Sequence, residues 1–256
     1  MSKEHKLYIH MLKKNKTRIK AVQTLILIFF FAIWETAAIL KWIDPFIFSQ
    51  PSRMLNAFIS MTKDGSLFKH IGITLGETIL GFVISTVAGS LISIILWWNV
   101  FLRKVLNPYL VVLNSLPKTA LAPIIIVWVG NNINSVIVTA LMTSIIVTII
   151  SVLTGFLEVD SDKAKLIKTL GGSKKDILTK VILPASIPTI ISALKINVGL
   201  SFVGVMVGEF LVAQTGLGYL IVYGSQIFIY VYILIFFFIF FWQWSNYLII
   251  EIQLHL

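Results

Sequence analysis

Long apolar runs separated by shorter polar segments dominate the hydropathy pattern of this chain. A helix that crosses the hydrocarbon core of a bilayer needs about 20 mostly apolar residues, and six segments meet or approach that length. They are 21–43, 71–98, 116–130, 135–156, 187–213 and 227–250. The pattern predicts an all-α fold: a polytopic membrane bundle of about six transmembrane helices, of which the third is the shortest.

Composition supports lipid as the solvent. Of the 256 residues, 57% are hydrophobic and only 12% are charged, whereas soluble domains are about 25% charged. The absence of cysteine excludes thiolate catalysis, thiolate metal sites and disulfides. The four histidines, at 5, 10, 70 and 255, fall outside the predicted spans, which argues against an intramembrane metal site or protease. We expect no catalytic residue and no metal site.

The basic residues are distributed asymmetrically. Fifteen Lys and Arg residues lie in three segments that would share one side of the membrane, and three lie in the segments of the other side. The first group is 1–20, 99–107 and 157–183, and the second is 44–70, 131–134 and 214–226. Because Lys and Arg concentrate in cytoplasmic loops, we predict a multi-pass plasma-membrane protein with a cytoplasmic N-terminus. The domain prediction is a basic segment, 1–20, followed by one transmembrane domain, 21–256. The positive charge then serves topology and anionic lipid, and no nucleic acid is expected.

Small residues recur at four-residue spacing within two predicted spans. Gly72 and Gly76 lie on one face of the second span, and Gly204 and Gly208 lie on one face of the fifth. Small residues at this spacing let helices approach closely in lipid. Two interpretations are open at each pair: a predicted helix–helix contact, or only the general abundance of glycine in membrane helices.

The connection over 158–184 is unusually long and has helical periodicity. Ala164, Ile167 and Leu170 recur at three-residue spacing before a Gly-Gly-Ser break at 171–173, and a second apolar stripe follows. The serine is placed to cap a second short helix, which Pro184 would end. Two interpretations remain open: an interfacial helix pair resting on headgroups, or a docking element for a cytoplasmic partner.

This loop resembles the cytoplasmic loop of permease subunits of binding-protein-dependent ABC importers. That family's pattern reads Glu-Ala-Ala, three residues, Gly, nine residues, Ile, any residue, Leu, with Pro following in one subgroup. Here Val181 takes the Ile position, and the triplet falls on 165–167, which lacks the acid. The resemblance implies an ATPase-coupling site made of Leu170, Gly171, Gly172, Ser173, Lys174, Val181, Leu183 and Pro184.

Other segments extend the resemblance to the nitrate, sulfonate and taurine branch of that family. They are 117–123, 127–130, 208–210 and 216–221. The resemblance covers about 51–226. The last thirty residues depart from the pattern, since 229–244 lacks the expected small and acidic residues.

The resemblance implies a permease without catalysis or a cofactor of its own. Two copies, as a homodimer, would form the path, an ABC ATPase dimer would bind ATP, and an extracytoplasmic binding protein would deliver a small organic or inorganic anion. The sequence contains no Gly-x-x-x-x-Gly-Lys-Ser/Thr motif, so nucleotide binding is expected on another chain. The alternative is a stand-alone secondary transporter using Glu209 and Glu77 as ion sites.

Three residues are candidates for the translocation path. Glu209 is an intramembrane acid, either a path or gate residue or a buried partner of a backbone donor or a lysine. Lys195 lies in the same span, where it either lines the path or snorkels to the cytoplasmic face. Trp128 is either a path residue or an interfacial anchor.

Overall fold

The structure is a computed structural model that describes residues 3–44, 48–212 and 214–226. The predicted sixth span, 227–250, and the divergent last thirty residues lie outside the described residues.

The described residues are helical throughout their regular structure, as predicted. They form ten α-helices, together with a 3-10 turn, Lys118–Leu121, and a π-helical turn, Leu178–Ile182. The helices are α1 (Lys3–Ile39), α2 (Pro51–Lys63), α3 (Ser66–Trp98), α4 (Val100–Ser115), α5 (Ala122–Val129), α6 (Ile133–Leu157), α7 (Ser161–Thr169), α8 (Lys174–Ile177), α9 (Leu183–Val212) and α10 (Leu217–Gln226).

Four segments of the described chain are long and apolar enough to cross a membrane. They are Thr17–Ile39, Ser66–Trp98, Ile133–Leu157 and Lys174–Val212. Helix α4 and the segment Lys118–Val129 would make a fifth crossing if they are taken as one span, although their axes meet at an angle of 89°. The first, second, fourth and fifth predicted spans are thus confirmed as long apolar helices.

The predicted third span, 116–130, is not a continuous helix. Helix α4 begins at Val100, within the segment 99–107 that we placed between two spans, and the chain turns sharply after Ser115. The cause is Pro117, which disfavours helical backbone at the preceding residue. Leu116 is accordingly extended, with φ −67° and ψ 140°.

Residues Ser66–Val222 form one compact unit, in which α6 packs against both α3 and α9. Glycines allow the close approach. A Cβ at Gly81 of α3 would lie 2.7 Å from the Cβ of Ala140, and one at Gly208 of α9 would lie 2.9 Å from the Cα of Val136. Gly204 is similarly tight against α6. The predicted packing face at Gly204 and Gly208 is confirmed.

The other predicted glycine face, at Gly72 and Gly76, differs. No described atom would lie within 4 Å of a Cβ at either position. Within the described residues, these glycines make no close helix contact.

In the second compact unit, α1 contacts α2. The Ser52 backbone N–H donates to the Glu35 carboxyl at 3.0 Å. This bond gives the acid of the first predicted span a backbone donor.

Pro184 does not end a helix, contrary to our expectation. The chain passes through a π-helical turn, Leu178–Ile182, directly into α9. There the Leu183 N–H bonds to the Leu178 carbonyl, five residues back. A π turn widens the helix and re-pairs its backbone groups, so that the helix continues through a proline.

Candidate functional site

The turn at the centre of the 158–184 loop is built by two adjacent glycines with different roles. Gly171 has φ +79°, a left-handed backbone that favours glycine. The Gly172 N–H donates to the Ile167 carbonyl at 2.9 Å, and the Gly171 N–H donates to the Lys168 carbonyl at 3.1 Å. This is the Schellman pattern that ends a helix. At Gly172 a Cβ would lie 2.5 Å from the Ile167 side chain.

Ser173 begins the second helical segment, as predicted. Its side chain accepts from the Asp176 N–H at 3.2 Å, and the Asp176 carboxylate accepts from the Ser173 N–H at 2.9 Å. This reciprocal pair is a capping box. Lys180 forms an ion pair with Asp176 at 2.7 Å. The break between the two short helices is therefore fixed by local hydrogen bonds.

The two apolar stripes of the loop have different environments. Leu178, in the second stripe, and the nearby Ile182 are buried against Val152 and Phe156 of α6. In the first stripe, Ala164 and Ile167 are half-buried and Leu170 is 76% exposed, and the neighbouring Leu166 is also exposed. Leu178 and Ile182 thus attach the loop to the bundle, whereas Leu166 and Leu170 lie on the surface of the described chain.

Lys174 connects the loop to the end of α3. Its ammonium lies 5.7 Å from the Trp97 ring centroid and 5.3 Å from that of Trp98. The same ammonium donates a hydrogen bond to the Trp98 carbonyl oxygen. Lys174 belongs to the predicted coupling site, but the sequence carries no sign of a contact between two residues that are 76 positions apart.

Glu209 is fully buried near the end of α9, where its carboxyl group accepts two hydrogen bonds. The Thr74 hydroxyl of α3 donates to Oε1 at 2.6 Å, and the Gly218 N–H donates to Oε2 at 2.6 Å. Glu77, one turn further along α3, is also buried and lies close to Glu209. Of the two interpretations of Glu209 given above, this geometry fits the second: a buried acid that bonds to a backbone donor.

The same cluster fixes the segment that follows α9. The Thr74 hydroxyl accepts from the Leu217 N–H at 2.8 Å, and His70 Nδ1 accepts from the Gly216 N–H at 2.9 Å. The His70 ring stacks on Tyr219, with centroids 6.0 Å apart. We call Glu209, Thr74, His70 and the segment Gly216–Gly218 the loop latch. His70 lies within α3, not outside the spans as the sequence suggested.

Glycine is required on both sides of the Glu209 carboxyl group. Gly216 has φ +108°, and a Cβ there would lie 2.3 Å from the carboxyl carbon. A Cβ at Gly218 would lie 2.7 Å from the Glu209 Cβ. The Gly-Leu-Gly motif is thus explained by its close fit around a buried acid.

The other two path candidates lie on the surface of the described unit. Trp128 is 82% exposed. Lys195 is exposed on one face of α9, and the exposed residues one helical turn away on either side are Ile191, Ser192, Val198 and Gly199. The structure does not bring Trp128 or Lys195 into the loop latch.

Long apolar helices packed through glycines, with a capped amphipathic loop between two of them, define a polytopic helical membrane protein. The chain belongs to the family of binding-protein-dependent transport system inner membrane components, whose sequence profile matches residues 81–245. It is therefore the permease subunit of an ABC importer, a multi-pass inner-membrane protein whose ATPase is a separate subunit. Membership in this family excludes the alternative function, that of a stand-alone secondary transporter.

Comparisons with individual proteins agree. The formylaminopyrimidine transport permease protein ThiX of Halalkalibacterium halodurans is 30% identical over 77% of this chain and 78% of its own length. The taurine transport system permease protein TauC of Escherichia coli is 24% identical over 74% of this chain and 70% of its own. The fold matches an inward-facing MetNI methionine ABC transporter structure with a TM-score of 0.57 and 20% identity, covering 72% of this chain and 94% of that one.

Proposed function

We propose that two copies of this chain form a path for a small organic anion of the sulfonate or taurine kind. The observation that carries the proposal is the exposed α9 face with Lys195 at its centre. A taurine permease among the relatives supports the same substrate class. An extracytoplasmic binding protein would deliver the anion, and an ATPase dimer would drive the transport cycle.

The position of Lys195 favours the path over lipid. It lies about 18 Å along the helix axis from Leu183, and a lysine at such depth in a span normally faces the bundle interior or a water-filled cavity. Of its four exposed neighbours one turn away, Ser192 and Gly199 are small, whereas Ile191 and Val198 are large and apolar. On the side of Ser192 and Gly199, the face leaves room for a solute with a negative charge.

We expect Lys195→Gln to reduce taurine uptake by about tenfold or more, because a hydrogen bond from a charged group contributes about 1.5–3 kcal/mol. Lys195→Arg should retain most uptake. The control is Lys63→Gln, which removes an exposed lysine at the end of α2. Uptake is measured with radiolabelled taurine in cells that express the complete importer. Equal uptake by Lys195→Gln and Lys63→Gln would contradict a path role for Lys195.

A second candidate substrate is formylaminopyrimidine, because ThiX is more similar in sequence than TauC. Calorimetric titration of the cognate binding protein with taurine and with formylaminopyrimidine distinguishes the two. Binding of formylaminopyrimidine without taurine would replace the anion proposal.

We further propose that the N-terminus and the 158–184 loop face the cytoplasm, where the loop docks on the ATPase subunit. The charge asymmetry supports the orientation, and the exposed Leu166 and Leu170 supply an apolar docking surface.

In this cysteine-free chain, a cysteine at exposed Asp162 should resist an impermeant thiol reagent in intact cells. A cysteine at Asp64, in a segment predicted to face outward, should react. Both variants are labelled again after membrane permeabilisation to show that each thiol is reactive. The reverse pattern in intact cells would overturn the orientation.

A further inference from the structure

The side chain of Lys174 makes its contacts with another helix, and not with the helix that it begins. It is the first residue of α8, where the helix dipole disfavours a cation. Its ammonium nonetheless lies over two tryptophan rings and donates to a backbone carbonyl. The position is therefore stabilised by α3 and not by α8.

The end of α3 is suited to hold an ammonium group. Trp98 is the last residue of that helix, so its carbonyl lacks an intrahelical donor and lies at the negative end of the dipole. Tryptophan is the best aromatic partner for a cation within about 6 Å of its ring. The Trp97 and Trp98 rings lie edge to face, 6.1 Å apart, and present two such partners to one lysine.

The loop thus has two separate attachments to the bundle. Leu178 and Ile182 pack on α6, and Lys174 binds the end of α3. Removing Lys174 leaves the apolar attachment in place, so the loop should still fold.

We infer that Lys174 is a positioning residue that transmits displacement of the loop to α3 through Trp97 and Trp98. The inference rests on the proposed docking of the loop on the ATPase subunit. Helix α3 has 33 residues and is about 50 Å long, so a shift at Trp98 moves its other end at Lys69. The loop would thereby move α3 as well as α6 when ATP is bound.

The test follows movement at the far end of α3 in the assembled complex. Lys69 is exposed, and Lys69→Cys provides the only thiol of the permease chain. Its rate of reaction with a maleimide is measured without nucleotide and after trapping with ATP and vanadate. Three variants are compared in this background: Lys174→Gln, Lys174→Arg and, as matched control, Lys175→Gln. A fourth, Trp98→Leu, changes the other side of the contact.

We expect trapping to change the labelling rate at least threefold in the parent protein. Lys174→Gln and Trp98→Leu should each reduce that change to less than half, and together they should give no further loss. Lys174→Arg, whose guanidinium also stacks on tryptophan, and Lys175→Gln should preserve the change. Trp98→Leu should co-purify the ATPase subunit at the parent level.

Other outcomes overturn the inference. A trapping response in Lys174→Gln equal to that of Lys175→Gln means that Lys174 does not transmit movement. Absence of a trapping response in the parent, with the ATPase subunit bound, means that α3 does not move with the loop. Failure of the parent to co-purify the ATPase subunit instead contradicts the proposed docking itself.

Discussion

Replacing Gly171 by valine is expected to reduce co-purification of the ATPase subunit by about five- to thirtyfold while membrane insertion stays near normal. The reason is backbone conformation, because Gly171 has φ +79° and a β-branched residue is a steric outlier there. Left-handed backbone costs about 1–2 kcal/mol for an ordinary residue, which corresponds to that change in the population of the native turn. The turn orients α7, and with it the exposed Leu166 and Leu170, relative to the rest of the loop.

A matched control exists in the same chain. Gly65 has φ +76° and, like Gly171, has no described atom within 4 Å of an added Cβ. Gly65→Val therefore imposes the same backbone strain in a different turn and should leave co-purification unchanged. Gly171→Asn should be tolerated better than valine, since asparagine adopts left-handed backbone more readily. Normal co-purification of Gly171→Val would indicate that the loop is an interfacial helix pair and does not dock.

Local chemistry explains why much of this loop could be predicted from sequence. The Gly-Gly break and the Ser173 cap depend on residues within one or two turns, so their spacing carries the information. The contact of Lys174 with Trp98 crosses 76 residues and has no local signature. The π turn before Pro184 was also missed, because proline normally indicates the end of a helix.

Helix packing was predictable where glycine spacing coincided with a partner helix. Gly204 and Gly208 contact α6, whereas Gly72 and Gly76 have the same spacing without a described neighbour. Spacing identifies a face that permits close approach, but which helix occupies it depends on the tertiary arrangement.

The loop latch shows the same limit at the candidate site. Glu209 was recognisable because a lone acid in an apolar run is unusual. Thr74 was not, since a single threonine in an apolar helix commonly bonds to its own backbone. Only the fold places its hydroxyl between Glu209 and the Leu217 N–H. A path role for Glu209 stays a prediction.

Replacing Glu209 by alanine is expected to lower the thermal denaturation midpoint of the detergent-purified complex by about 5 °C or more. The substitution leaves the Gly218 N–H and the Thr74 hydroxyl without their acceptor, and each buried unsatisfied group costs about 1–3 kcal/mol. Glu209→Gln keeps one acceptor oxygen and should fall between alanine and the parent. Thr74→Val should resemble Glu209→Ala, because it removes the hydroxyl that bonds to both Glu209 and Leu217.

The conservative control is Thr74→Ser, which keeps the hydroxyl and should stay within about 2 °C of the parent because both hydrogen bonds are retained.

Taurine uptake, measured for the same variants as the denaturation midpoint, distinguishes a structural role of Glu209 from a role in the translocation path. If Glu209 only fixes the segment Gly216–Gly218, uptake and midpoint should fall together across alanine, glutamine and the Thr74 variants. If the acid also acts in the path, Glu209→Gln should lose far more uptake than the Thr74 variants whose midpoints fall by a similar amount. A parent-like midpoint for Glu209→Ala would contradict the latch, because two buried donors cannot lose their acceptor without cost.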